Sequence, residues 1–209
     1  MVMNTLELAS YGPVIPVIVL QREADAVPLA HALVSGGVRV LEVTLRTPVA
    51  LAAMRAIARE VPGAIMGAGT VRSVADAQAA LDAGCQFAVS PGYTSAVGQA
   101  CGQLKLPLLP GVATASEIMT AQADGYDFVK FFPATAAGGI PLLKAWAGPF
   151  PDVAFCPTGG ITPQTAPQFL ALPNVKVCGG SWLTPQEAID ASDWGRITAL
   201  AREAAALRS

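Results

Sequence analysis

The sequence predicts an α/β protein folded as a single (β/α)8 (TIM) barrel domain over residues 1–209, with residues 1–12 as an N-terminal extension. Three observations lead there. Short β-rich apolar runs alternate with Ala-rich amphipathic stretches along the chain, beginning roughly 20–26 residues apart, the spacing of one strand–helix unit with little insertion. The length of 209 residues suffices for one sizeable core and lies at the short end for such barrels, so connections must be brief. The 20 glycines and 17 prolines punctuate the runs and do not cluster into linkers. An open doubly wound sheet shares this alternation and is the structural alternative, because periodicity alone does not show closure.

The expected strands are 14–20, 38–45, 64–69, 87–90, 107–111, 128–132, 153–157 and 175–178. Helical stretches lie at 24–35, 48–60, 73–83, 94–104, 115–123, 140–147 and 165–171, with a last one from about 185. The first strand, VIPVIVL, carries Pro16, unusual in a central strand and without a sequence-level explanation. The second puts Leu41, Val43 and Leu45 on one apolar face by its period of two, fit to pack beneath helices. Val40, Glu42, Thr44 and Arg46 then share the inward face. A carboxylate, a hydroxyl and a guanidinium rise in steps toward the strand's C-terminal end, where barrel active sites gather. A structural Glu42–Arg46 ion pair is the weaker reading, since such a pair would scarcely be placed at that end.

The sixth strand sets Lys130 within the apolar run FVKFFP. Desolvation disfavours an ammonium, so a lysine so placed should fall from about 10.4 toward neutrality. A neutral amine attacks ketones to form an imine that withdraws electrons. A head that snorkels out to solvent is the competing reading. Glycine pairs close the seventh and eighth strands, at Gly159 and Gly160 and at Gly179 and Gly180, followed by Ser181. Backbone N–H groups freed of side chains can approach phosphate oxygens there. The third strand ends similarly, with Thr70 as a hydroxyl at the mouth. The spacing is not the GxGxxG fingerprint of dinucleotide sites.

Composition narrows the partners. Hydrophobic residues make up 53% and charged residues 13%, against roughly 25% in ordinary soluble domains, so a disordered polyelectrolyte is excluded and other subunits are expected to cover some surface. Thirteen Lys and Arg against fifteen Asp and Glu give a net charge of −2, which offers no electrostatic case for nucleic acid or an anionic membrane. Cys85, Cys101, Cys156 and Cys178 form no CxxC pair, and the single His31 completes no zinc set. No metal or cofactor is expected. No Lys or Arg precedes the first apolar run, which argues against a signal peptide, and no run approaches the ~18 residues of a membrane helix. A soluble, cytoplasmic protein is the expectation. His31, Cys156, Cys178, Trp146 and Trp194 read as structural, Trp182 as packing that helps shape the loop at Ser181, and Asp76, Asp82, Glu117 and Glu187 as solvated helix charges.

The motifs at 40–47 (VLEVTLRT), 67–71 (GAGTV), 90–92 (SPG), 110–111 (PG), 128–134 (FVKFFPA), 155–161 (FCPTGGI) and 179–182 (GGSW) run in order and in phase. They resemble the 2-dehydro-3-deoxy-phosphogluconate (KDPG) aldolase family, which also includes 4-hydroxy-2-oxoglutarate aldolase activity. The resemblance implies a class I aldolase on a (β/α)8 barrel, usually a homotrimer. Such an enzyme cleaves a 2-keto-3-deoxy sugar acid phosphate into pyruvate and glyceraldehyde 3-phosphate. It implies Lys130 as Schiff-base former and Glu42 as general acid and base. Arg46 would clamp the pyruvyl carboxylate with help from Thr70, Pro91 and Phe132 would line the pocket, and Gly159, Gly160, Gly179, Gly180 and Ser181 would hold the phosphate. Thr158 occupies the place linked to stereochemical preference at C4, where galactonate-type members tend to carry Val. Tyr93 and the run 135–137 depart from the family pattern near the mouth, which bears on substrate breadth. A metal-dependent aldolase or epimerase lacks ligands here, and a silent phosphosugar-binding barrel, with Lys130 only a charge partner of Glu42, is the non-enzymatic alternative.

Overall fold

The structure, a computed structural model, describes residues 5–208. It is an α/β fold of parallel strands. One sheet has the order β5-β4-β3-β2-β1-β9, formed by β1 (Val14–Ile18), β2 (Val40–Thr44), β3 (Ile65–Gly69), β4 (Phe87–Val89), β5 (Leu108–Leu109) and β9 (Cys178–Gly180). A second sheet joins β6 (Gly111–Val112), β7 (Phe128–Phe131) and β8 (Ala154–Pro157). All paired strands are parallel, so each strand's return lies outside the sheet and brings a helix onto its surface.

The strand expected at 107–111 is two pieces. Pro110 has no N–H to donate, and the ladder breaks at it: Leu108 and Leu109 pair with β4, whereas Gly111 and Val112 pair with β7. The strand expected at 175–178 is displaced toward the C-terminus. Apolar Val175 makes only an isolated bridge to Phe155, and regular pairing begins at Cys178 and runs through two glycines against Val14–Pro16. Partner geometry outweighs β-propensity there. Pro16 finds its reason in the same register. It is the last residue of β1 paired with β9, and pairing with β2 begins at Val17, so its missing donor falls where the strand changes partners.

Side chains alternate as the period of two requires. Leu41 and Val43 enter the helix-facing core with Met66, Ala68 and Ala88, and Leu45 packs against it half-buried. Val40, Ile15, Ile65, Phe87, Val89, Leu109, Phe128 and Cys156 meet on the inner side. A third cluster holds Val129, Phe131 and Phe155 under Trp146. Leu8 changes the reading of the N-terminal extension. Its first four residues lie outside the described residues, but Thr5–Tyr11 forms a 3-10 helix whose Leu8, 0% exposed, plugs the inner cluster.

Helices α1 (Ala26–Ser35), α2 (Ala50–Glu60), α3 (Val74–Asp82), α4 (Ser95–Gln103), α5 (Ala115–Ala123), α6 (Gly139–Trp146) and α7 (Ala166–Leu170) fall where the apolar spacing puts them. The last expected helix is two, α8 (Gln186–Asp190) and α9 (Trp194–Ala205), separated by Ser192 at φ 53°. Two of the charges expected to be solvated are caps. Glu117 accepts from the backbone N–H groups of Ala113 and Thr114 in a capping box, and Asp76 accepts from Arg72 N–H.

Candidate active site

The C-terminal ends of the strands enclose a cavity of about 140 Å3, lined in part by Val17, Val19, Arg46, Lys130 and Phe132. Thr158, Gly159, Gly160, Gly179, Gly180 and Ser181 line it from β8 and β9. Nine of the expected site residues therefore meet in one place. A roomier cavity of about 480 Å3 opens at the opposite end, between the N-terminal ends of β5 and β7, and includes none of them.

Two further residues join through hydrogen bonds. Lys130 Nζ donates to Glu42 Oε1 at 3.0 Å, and the two residues are 4% and 3% exposed. The lysine does not snorkel. Its Nζ also stands over the Phe132 ring, 5.4 Å from the centroid, at the range of a cation–π contact. The Glu42–Arg46 ion pair does not form; Arg46 is exposed, and its Nε donates to Thr70 Oγ1 at 3.2 Å. Thr44, on the same inward face, is fully buried and donates to Ile18 O at 3.0 Å, so it ties β2 to β1 and stays out of the cavity. Pro91 does not line the cavity. Its carbonyl lies against Gly111, while the neighbouring Ser90 Oγ accepts from Gly111 N–H.

Beneath the lysine, Cys156 is its register partner on β8, with Sγ 3.8 Å from Thr158 Oγ1. Burial pushes this thiol up to about 12, with Lys130 and Thr158 pulling the other way. It is a packing thiol, not a nucleophile. At the glycine end, Thr158 bridges to Gly179, and Thr135 lies against Gly160 with its N–H donating to Gly159 O at 3.1 Å. Thr135, in the run noted as a departure, thus borders the glycine loop. Tyr93 instead turns away from the cavity. Its hydroxyl donates to Asp124 Oδ2 at 2.7 Å, and its ring meets Tyr126 edge-on at 5.3 Å.

The sequence reading overlooked Val17, Val19 and Ile161, which supply apolar wall. Val17 and Val19 stand at a period of two from inward-facing Ile15 along the expected first strand, the signal that could have found them. Among the described residues, no three His, Cys, Asp or Glu side chains form a group able to hold a metal, and no helix is long and apolar enough to cross a membrane.

Comparison with known proteins gives the family. The chain is 51% identical over 203 residues to the 2-dehydro-3-deoxy-phosphogluconate aldolase of Pseudoalteromonas atlantica, covering 97% of this chain and 94% of that protein. It is 54% identical over 193 residues to the KHG/KDPG aldolase of Escherichia coli K12, covering 92% and 91%. It superposes with a TM-score of 0.95 and 47% identity on a KDPG aldolase from Legionella pneumophila, crystallised with pyruvate captured at low pH as a covalent carbinolamine, over 98% of this chain and 99% of that one. Residues 6–200 match the family described as KDPG and KHG aldolase, and the chain belongs to that family.

Proposed function

We propose that the protein is a class I aldolase that cleaves 2-dehydro-3-deoxy-6-phosphogluconate to pyruvate and glyceraldehyde 3-phosphate through a Schiff base on Lys130. The observation that carries the reading is the buried Lys130–Glu42 contact of 3.0 Å at the floor of the cavity, in a chain of this family. Arg46 holds the substrate carboxylate, a planar group suited to a guanidinium, and places the neighbouring C2 ketone over Lys130 Nζ. The amine adds to C2, and Glu42 moves protons as the carbinolamine loses water. The iminium takes the electron pair of the breaking C3–C4 bond as the C4 hydroxyl gives up its proton. Glyceraldehyde 3-phosphate leaves, Glu42 returns a proton to C3 of the enamine, and water releases pyruvate. Gly159, Gly160, Gly179, Gly180 and Ser181 hold the phosphate with N–H and O–H donors, while Thr158 and Phe132 wall the chain between the two ends.

4-Hydroxy-2-oxoglutarate is a second substrate on this reading, favoured by the Escherichia coli relative that is a KHG/KDPG aldolase. The C4 epimer, 2-dehydro-3-deoxy-6-phosphogalactonate, is the other alternative substrate on the same site. We read the strands as a closed (β/α)8 barrel in one domain. β5 and β6 are separated by Pro110 alone, and the bridges Phe155–Val175 and Thr158–Gly179 link β8 toward β9. Assembly as a homotrimer in the cytoplasm is part of the same reading and accords with the 13% of charged residues.

Borohydride reduction in the presence of pyruvate tests the proposal. Mass spectrometry should place the adduct on Lys130, together with pyruvate release from KDPG that survives EDTA. An adduct on Lys105, Lys144 or Lys176, or tight binding of KDPG without pyruvate release, overturns it. Steady-state rates with KDPG, its C4 epimer and 4-hydroxy-2-oxoglutarate then rank the substrates.

A further inference from the structure

Strand β3 gives up two inward side chains. Ile65 faces the inner cluster, while Met66 and Ala68 face the helices, so Gly67 and Gly69 point inward. Glycine within a strand loses more chain entropy on folding and packs nothing, so its presence there needs a local cause. Neither glycine has a positive φ, so backbone conformation is not that cause. Space is. A Cβ on Gly67 would stand 2.1 Å from Phe87 Cζ, and the glycine accommodates a ring of the inner core. A Cβ on Gly69 would stand 2.3 Å from Glu42 Oε1, 2.7 Å from its Cγ and 2.9 Å from its Cδ. Oε1 is the oxygen that accepts from Lys130 Nζ.

We propose that Gly69 is a positioning residue for the aldol reaction: its missing side chain is the slot in which the Glu42 carboxylate lies against Lys130. Glu42 rises from β2 opposite Gly67 and bends over β3, where Gly69 pairs with Thr44. A methyl group at 69 would press on three atoms of the side chain at once, so rotation of the carboxylate alone does not relieve it. The side chain must retreat, and Oε1 leaves Lys130. The last glycine of the third strand thus serves the acid–base end of the site, away from the glycines of β8 and β9. The catalytic part of this inference rests on the aldolase reading above.

Gly69→Ala tests it, alone and combined with Glu42→Ala. In the native background the substitution should lower kcat by at least ~100-fold, the lower range for loss of a positioned acid–base group, with little change in KM. Pyruvate trapping on Lys130 should persist, and the pH profile of kcat should come to match that of Glu42→Ala. In the Glu42→Ala background, Gly69→Ala should change kcat and the urea midpoint little, within the ~2-fold expected of uncoupled sites. If Gly69→Ala does not fold by itself, removal of the Glu42 side chain should restore folding. Retention of near-native kcat and pH profile, an equal cost in both backgrounds, or failure of the double variant to fold where Glu42→Ala alone folds overturns the proposal. If the native protein traps no pyruvate, the aldolase reading falls, while the coupling of positions 42 and 69 in urea midpoints is still measured.

Discussion

Lys130 Nζ donates to Glu42 Oε1 across the interior from β7 to β2, between residues 88 positions apart in the chain. Both side chains are almost wholly enclosed, at 5% and 4% exposure. Breaking a buried pair by deleting one partner costs about 3–5 kcal/mol, because the remaining charge is left uncompensated. Glu42→Ala and Lys130→Ala should each lower the unfolding free energy obtained from urea titration by an amount in that range, whereas Glu42→Gln with Lys130→Met should recover most of it. Activity separates the two groups differently. Glu42→Gln should reduce kcat by ~10²–10⁴-fold and still trap pyruvate, while loss of Lys130 should abolish both. Equal trapping by the Lys130 variants would remove the Schiff base from that residue.

Thr70 sits at φ 62°, a left-handed conformation that is strained for a β-branched residue, by about 1–3 kcal/mol. From there its Oγ1 accepts from Arg46 Nε. Thr70→Gly releases the strain but removes the hydroxyl, so stability should hold or rise while KM increases by about tenfold, the worth of one hydrogen bond to a charged group. Thr70→Ser should keep KM near native. A KM unchanged in the glycine variant would show that Arg46 needs no such support.

The pair and the strain differ in how far the sequence discloses them. Glu42, Lys130 and the glycine ends were legible because a charged residue on an inward face, or a glycine at a strand end, departs from what packing alone would choose. Register and partner change were not. The break at Pro110, the shift of the last strand to Cys178–Gly180 and the tolerance of Pro16 depend on which strand lies alongside, which local pattern does not encode. Gly69 stands at the end of the expected third strand, and the reason for it is not legible there because its cause is a side chain on another strand. Glu117 and Asp76 were read as surface charges since capping partners are set by helix starts, the least certain boundaries in a sequence.

Leu8 makes the N-terminal segment part of the core. With the side chain wholly buried against Ile15, Val40 and Phe128, Leu8→Ala should cost about 2–5 kcal/mol by lost transfer and cavity formation. Removing residues 1–12 should lower stability at least as much. The candidate site lies at the opposite, C-terminal ends of the strands, so kcat of the folded fraction should stay native. A truncated protein with native urea midpoint would show the plug to be dispensable.

The buried thiols set an alkaline limit. Burial pushes Cys85 and Cys156 up to about 12 and Cys101 up to about 11. Unfolded thiols titrate near 8.5, so above that pH the unfolded chain sheds protons that the folded chain retains. The unfolded state then binds fewer protons than the native one, and stability falls as pH rises. The contribution is intact below about pH 8.5 and declines progressively toward 11–12. Urea midpoints measured from pH 7 to pH 10.5 should therefore drop, and Cys85→Ala combined with Cys101→Ala should flatten the drop. Iodoacetamide at pH 8 should leave the native protein's Cys85 and Cys156 unmodified, since the thiolate is the reacting species. Stability that stays level through pH 10.5, or rapid alkylation of the native protein, would mean these thiols are open to water.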